Sequence, residues 1–227
     1  MLELLPLGDR AFLARFGSER EAQGWAGAVQ ARSLPGVVDV AVAYATAAIF
    51  LDPDRADPDE VEAVLREVRP LPSGEDRSRL IRLPVLYDGE DLTEVAATVG
   101  LTEAEVAQRH SSVDYAVFAL GFLPGFPYSG YLPEPLAGLA RRAVPRARVP
   151  AGSVAIAGRQ TGVYPGESPG GWHLLGRCPL RIVDLASGFL PIRAGDRLRF
   201  VAIGEAEYLN RLGDRVDLAQ YVQGAYT

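Results

Sequence analysis

The chain has 227 residues, 48% of them hydrophobic and 23% charged, ordinary proportions for a folded protein that exclude disorder as the main state. A net charge of −6 argues against nucleic acid as the main partner, because phosphate binding needs a concentrated basic surface. All 23 basic residues are Arg, which excludes a P-loop lysine, a Schiff-base lysine and a lysine general base together.

The first elements alternate strand and helix. LELLPL and RAFLARF are short apolar runs joined by Gly8-Asp9, a hairpin signal. Ala22, Trp25, Ala26 and Val29 share one helical face between Glu19 and Arg32, and Pro35-Gly36 ends that helix. VVDVAVAY and AAIFLD read as strands around Ala45-Thr46. Asp57-Pro58-Asp59-Glu60 is a strong helix start, continued by Val61, Val64, Leu65 and Val68. The order ββαββα predicts an α+β sandwich, a small sheet covered on one face by two helices. Residues 70–78 (PLPSGEDRS) read as a linker, which predicts domains 1–78 and 79–227.

After the linker, RLIRLPVLY reads as a strand followed by two short helices. Thr102 and Glu105 form a capping box on the second helix, with Leu101 and Val106 placed as a staple. His110 falls at its end, before the strand VDYAVFAL. From Gly121 onward the chain is short β segments broken by Gly and Pro: VPAGSVAIAG, WHLLG, LRIVDL and DRLRFVAI. Such spacing predicts a closed or nearly closed barrel, with a last helix over 205–221. Residues 1–110 carry 11 Arg against 20 acids, and residues 111–227 carry 12 against 9. Glycine divides 8 to 16, in support of two domains.

The N-terminus carries Glu3 and Asp9 where a signal peptide needs a basic head and an apolar run. The longest apolar stretch, Val40–Leu51, is too short for a bilayer, which takes about 20 residues. A cytoplasmic chain without membrane contact is expected. One cysteine, Cys178, and two histidines, His110 and His173, leave no material for a Cys-cluster or zinc site, so no metal is expected.

Residues 121–179 hold too much Gly and Pro for a plain core, interleaved with Phe122, Phe126, Tyr128, Tyr131, Tyr164 and Trp172. Loops fixed for a purpose are implied. Polar candidates among them are Arg148, Arg159, Gln160, Thr161, Ser168, His173 and Arg177. Arg and Gln hold carboxylates or amides through paired hydrogen bonds, and amides beside glycines face developing oxyanions. Gly166-Glu-Ser-Pro-Gly170 matches G-x-S-x-G, but Pro-Gly-Gly-Trp after the serine cannot supply the helix a nucleophile elbow requires. Cys178 beside Arg177 lacks a resolving cysteine and reads as a packed thiol.

HSSVDYAVFALGFLPGFPYSGYLP, RRAVPRARVPAGSVAIAGRQTGVYP and ESPGGWHLLGRCPLRIVD together resemble the allophanate hydrolase subunit 1 family, from His110 to Asp184. The family includes KipI-type kinase inhibitors and the B-subunit of the bacterial 5-oxoprolinase. Its blocks fall on Gly121–Phe126, Arg148–Gly158, Gln160–Pro165 and Ser168–Arg177. Two positions depart from it: 173 is often Gln and 178 often Thr. The resemblance implies an N-terminal α/β domain followed by a cyclophilin-like β-barrel. It implies an allophanate hydrolase subunit 2-like (KipA-like) partner and a third 5-oxoprolinase subunit. The assembly would use ATP, with Mg, to open the lactam of 5-oxoproline to glutamate, with no cofactor held tightly by this chain. The alternative it implies is a KipI-like inhibitor that binds a sensor histidine kinase, and a urea-carboxylase-related role ranks last.

Lactam phosphorylation would need positive charge and a positioned base. Arg148, Arg159 and Arg177 are the candidates for charge, Gln160 and Tyr164 for orienting substrate. His110 is either the base or a helix C-terminal residue balancing the dipole. One pocket lined by Phe122, Gln160, Thr161, Tyr164, Trp172 and Arg177 is expected, opening toward the partner subunit.

Overall fold

The computed structural model describes residues 2–71, 78–217 and 222–223. They build a mixed α/β protein, mostly antiparallel sheet with few helices, in two compact units, Met1–Arg77 and Ser78–Thr227. Most of the expected linker, residues 72–77, lies outside the described residues.

The first unit runs β1 (Glu3–Pro6), β2 (Ala11–Arg15), α1 (Glu19–Arg32), β3 (Val37–Ala43), β4 (Thr46–Leu51) and α2 (Pro58–Glu67). Its ladder is β1-β2-β4-β3, antiparallel throughout. Strand alternation sends Phe12, Ala14, Ala47, Ile49 and Leu51 to one face, where Trp25, Val29 and Leu65 meet them. Burying each large side chain there stabilises by about 1.5–3 kcal/mol. The Ser18 hydroxyl accepts from the Glu21 amide at the start of α1, and Asp57 accepts from the Asp59 amide at the start of α2.

The second unit continues with β5 (Leu80–Val85), α3 (Leu92–Val99), α4 (Glu103–Ser111), β6 (Tyr115–Leu120), β7 (Pro127–Gly130) and β8 (Arg146–Val149). Then come β9 (Ser153–Ala157), β10 (Gln160–Val163), β11 (Ser168–Gly170), β12 (His173–Arg177), β13 (Arg197–Ala202), α5 (Glu205–Arg211) and β14 (Val222–Gln223). The ladder is β14-β5-β13-β6-β7-β10-β9-β12, with β5 and β13 parallel. A bridge between Leu86, just past β5, and Arg177 of β12 returns the sheet on itself. β8 and β11 pair separately.

Two expected elements differ. The helix expected over 205–221 ends at Arg211, because Gly213 takes a left-handed conformation (φ +88°) and breaks the repeat; residues 218–221 lie outside the described set. LRIVDL forms isolated bridges, Arg181 to Arg215 and Asp184 to Phe189, and no strand. The capping box of α4 is formed, with Thr102 and Glu105 each bonding the other's backbone amide.

Strand β9 sets up the site, since every one of its residues is buried. Val154 and Ile156 belong to the main core with Leu83, Leu175 and Phe200. Ala155 and Ala157, on the opposite face, pack with Phe126, Tyr164 and Trp172. The sheet therefore carries a second, aromatic layer outside its main core.

Candidate functional site

Phe126 is the hub of the aromatic layer. Its ring centroid lies 5.0 Å from Tyr128, 5.1 Å from Tyr164, 5.4 Å from Trp172 and 5.9 Å from Phe122, each edge-to-face. The ring can rest on β10 only because position 162 is glycine. A Cβ there would stand 2.9 Å from Phe126 Cζ and 2.8 Å from the Pro127 carbonyl oxygen. Phe122 sits in the left-handed region at φ 67° with 61% of its surface exposed, and its ring meets Tyr164 at 6.4 Å. Phe122 is thus a strained, exposed residue beside the packed Phe126.

Beside this layer lies a hollow of about 210 Å³, lined by Gly152, Tyr164, Cys178, Ile182, Tyr208 and Leu212 among others. Burial pushes the Cys178 thiol up to about 12, so it is neutral at physiological pH and inert as a nucleophile. The Tyr164 hydroxyl is likewise raised, by burial and then by Tyr128. Arg177 is not part of the lining but meets one of its residues, Tyr208. Its guanidinium lies 4.7 Å from the centre of the Tyr208 ring and forks onto Asp88, with Nε donating to Oδ1 at 3.0 Å. The Asp88 carboxylate holds the Arg177 charge firmly in place, raising its pKa.

The remaining expected site residues are scattered. Arg148 on β8 pairs with Glu167 at 2.6 Å on the surface. Arg159, in the turn before β10, lies 4.2 Å from the centre of the Tyr131 ring. Gln160 opposes Ala157 and Gly130 on β10, whereas Thr161 faces the core. Phe122, Tyr164 and Trp172 do share the aromatic layer, and of the expected site residues Tyr164 alone lines the hollow.

Two expectations are corrected by the geometry. Gln160 and Arg177 do not share a pocket. Gln160 aligns with Ala157 and Arg177 with Ser153, opposite ends of β9, about 13 Å apart along the strand and on strands to either side of it. His110 is no accessible base. It is fully buried, with Nδ1 2.7 Å from the Tyr87 hydroxyl and Nε2 2.7 Å from Thr161 Oγ1. Its ring stacks on Phe200 at 4.6 Å, and burial lowers its pKa to about 3. Thr161 Oγ1 donates onward to the Ala155 carbonyl, so a neutral His110 that accepts from Tyr87 and donates to Thr161 satisfies the whole chain. The sequence placed His110 at a helix end correctly, but gave no sign that α4 packs its last turn against β13.

Asp88, Asp91 and Tyr208 were not singled out in the sequence. The acidic run Asp88-Gly-Glu-Asp91 before α3 was their one available signal, and Tyr208 carried none. Among the described residues no group of His, Cys, Asp or Glu is placed to hold a metal ion, and no helix is long and apolar enough to cross a membrane.

Residues 2–188 match the model of the carboxyltransferase domain, subdomain C and D. The chain belongs to this family. It is the allophanate hydrolase subunit 1 family that the glycine-rich blocks resemble. Similar members include the 5-oxoprolinase B-subunit of Escherichia coli O157:H7, 45% identical over 173 residues, 74% of this chain and 76% of that protein. The 5-oxoprolinase B-subunit of Bacillus subtilis strain 168 is 36% identical over 232 residues, 89% of this chain and 93% of that one. The crystal structure of TTHA0988 is 39% identical with a TM-score of 0.78, covering 86% of this chain. The present chain spans only 40% of that longer polypeptide. Kluyveromyces lactis urea carboxylase, at 16% identity and a TM-score of 0.68 over 99% of this chain and 24% of that one, shares the fold of this carboxyltransferase-type chain.

Proposed function

We propose that this chain is the B-subunit of a 5-oxoprolinase, a cytoplasmic hydrolase assembly that opens 5-oxo-L-proline to L-glutamate with ATP. The observation that carries this reading is the 45% identity to a protein of that name over three quarters of the chain. In this reading residues 1–78 are the ββαββα sandwich domain, and residues 79–227 are a cyclophilin-like β-barrel closed through Leu86 and Arg177. An allophanate hydrolase subunit 2-like chain and a third subunit complete the enzyme. The greater length of TTHA0988 favours such a partner, since a related module there is joined to further polypeptide. Kinase inhibition is the weaker reading, because relatives of this chain carry the enzyme's name.

The hollow does not fit ATP. It is smaller than the roughly 300 Å³ at which drug-sized sites begin, and its lining is largely apolar. ATP, with Mg, belongs in this reading to the assembled enzyme, and no step through it is assigned to these residues. What this chain contributes is the exposed Phe122 as a contact toward the partner, and Arg177 held by Asp88 over Tyr208. Tyr164 and Trp172 wall the aromatic layer, while Arg148, Arg159 and Gln160 lie farther along the surface, available to a substrate held between subunits. Thr161 fixes β10 from the core side.

Reconstitution tests the reading. Omitting this chain from the three-subunit mixture is expected to abolish ATP-dependent glutamate formation, and undiminished formation without it would refute the assignment. Arg177→Ala in the complete mixture is expected to lower the rate by roughly ten- to a thousand-fold, on the scale of one lost transition-state donor. Circular dichroism should show the fold retained, since the Arg177 side chain is half-exposed.

A further inference from the structure

The loop after β5 lies flat against β12, and that contact fixes an exposed ion pair. The Leu86 amide donates to the Arg177 carbonyl at 2.9 Å, and the Arg177 amide donates back to Leu86 at 2.8 Å. The amides of Gly89 and Asp91 donate to the Leu175 and Leu174 carbonyls, each at 3.1 Å. So close an approach requires glycine at position 176, where a Cβ would collide with the Leu86 carbonyl oxygen. Strand β12 also carries a bulge between Leu174 and Gly176, a device that re-aims the residues after it. Arg177 comes directly after the bulge with its side chain half-exposed, and Asp88 meets it from the facing loop.

Both partners hold the guanidinium in one orientation. Nε donates to Asp88 Oδ1 at 3.0 Å, Nη2 donates to Oδ2, and the central carbon lies 4.7 Å from the centre of the Tyr208 ring. Asp88 is the only hydrogen-bond partner of this side chain among the described residues. A guanidinium carries five N–H groups in one plane, so the fork leaves three of them, two on Nη1 and one on Nη2, on edges turned away from Asp88. An ion pair this exposed adds little to stability. A fork set on a bulge and a glycine-only contact does more for direction: it takes rotamer freedom from a long side chain before any ligand arrives.

We propose that Asp88 is a positioning residue for the hydrolase reaction. It touches no substrate and acts by holding Arg177, whose free N–H edge meets the negative charge that develops in the transition state. The inference rests on the 5-oxoprolinase reading, in which Arg177 supplies that positive charge. It adds that the direction of the charge is set from outside the glycine-rich blocks, by a loop that precedes α3. Without the Asp88 carboxylate Arg177 stays protonated but is free to swing. The loss should therefore be smaller than removal of Arg177 and should fall on the chemical step.

Steady-state kinetics of the three-subunit mixture test it, with the full chain carrying Asp88→Asn, Arg177→Ala or both. Asp88→Asn keeps the shape of the side chain and removes its charge. It is expected to lower kcat about ten-fold with KM changed less than about two-fold, the pattern of an interaction made only in the transition state. On the Arg177→Ala background the same change should alter kcat by less than about two-fold, because Asp88 then has nothing to hold. A native kcat for Asp88→Asn beside a depressed one for Arg177→Ala would overturn the positioning role and leave the 5-oxoprolinase reading standing. Losses that multiply in the double variant would also overturn it, since Asp88 would then act on the fold and not through Arg177. Undiminished kcat for Arg177→Ala would overturn both the role of Arg177 and this inference. Circular dichroism checks each variant, and Asp88→Ser takes the place of Asp88→Asn if that one fails to fold. Failure of both to fold would mark Asp88 as structural and overturn the proposal.

Discussion

Between pH 7 and pH 5 the native chain is expected to lose about 2 kcal/mol of stability that a His110→Phe variant does not lose. Burial holds the His110 ring at a pKa of about 3 in the folded chain, against about 6.5 when unfolded. The unfolded state therefore takes up a proton that the folded state refuses. Stability from this group is complete above the unfolded value and declines as pH falls from about 6.5 toward about 3. Phenylalanine keeps a ring against Phe200 and Tyr115 but cannot be protonated. It also leaves the buried Tyr87 hydroxyl without its partner, so at pH 7 the variant should be less stable by about 1–3 kcal/mol. Urea unfolding of both proteins at the two pH values reads the difference directly. Equal acid loss in both would refute a buried neutral ring. A general base would leave another signature, a large fall in activity at unchanged stability.

The fate of His110 shows where the sequence stops being informative. Its local setting was legible: Thr102 and Glu105 announced the start of α4, and the box is formed. The depth of its last turn was not, because that depends on packing against β13, whose Phe200 is 90 residues away in the chain. The same division holds elsewhere. Asp57-Pro58 and Gly8-Asp9 act through neighbours and were readable, since caps and turns are satisfied within a few residues. The parallel pairing of β5 with β13, and the fork of Arg177 on Asp88, join segments far apart in sequence and leave no periodic trace. Glycine density did announce a special surface, and Gly162 accounts for part of it by admitting Phe126. It could not say that Gln160 and Arg177 fall at opposite ends of one strand, because that is a matter of register.

Asp91→Asn is expected to destabilise the chain by about 3–5 kcal/mol, the usual scale for removing one partner of a buried charged group. The reason lies in what Asp91 joins. Its carboxylate ties the start of α3 to Arg142 and Arg146 on one side and to the amide of Leu174 in β12 on the other. Burial pushes its pKa up, but the hydrogen bonds from Arg146 and the Leu174 amide and the charges of both arginines outweigh that and hold it below the usual carboxylate range. Stability from this group is therefore present above about pH 4 and lost as pH falls further, a window below the steepest part of His110's. Glu90→Gln provides the contrast within the same network. Glu90 accepts from Arg146 Nε at 3.1 Å but stands in solvent, so its loss should cost under about 1 kcal/mol. Replacing the trio together, Asp91→Leu with Arg142→Leu and Arg146→Met, should cost less than Asp91→Asn alone, because it leaves no unpaired charge beside the buried position 91. Urea unfolding of the four proteins at pH 7 ranks them. Asp91→Asn within 1 kcal/mol of the native chain (below the roughly 3 kcal/mol floor for stranding a buried charge) would mean that solvent or an anion already screens the arginines well enough to make their carboxylate dispensable.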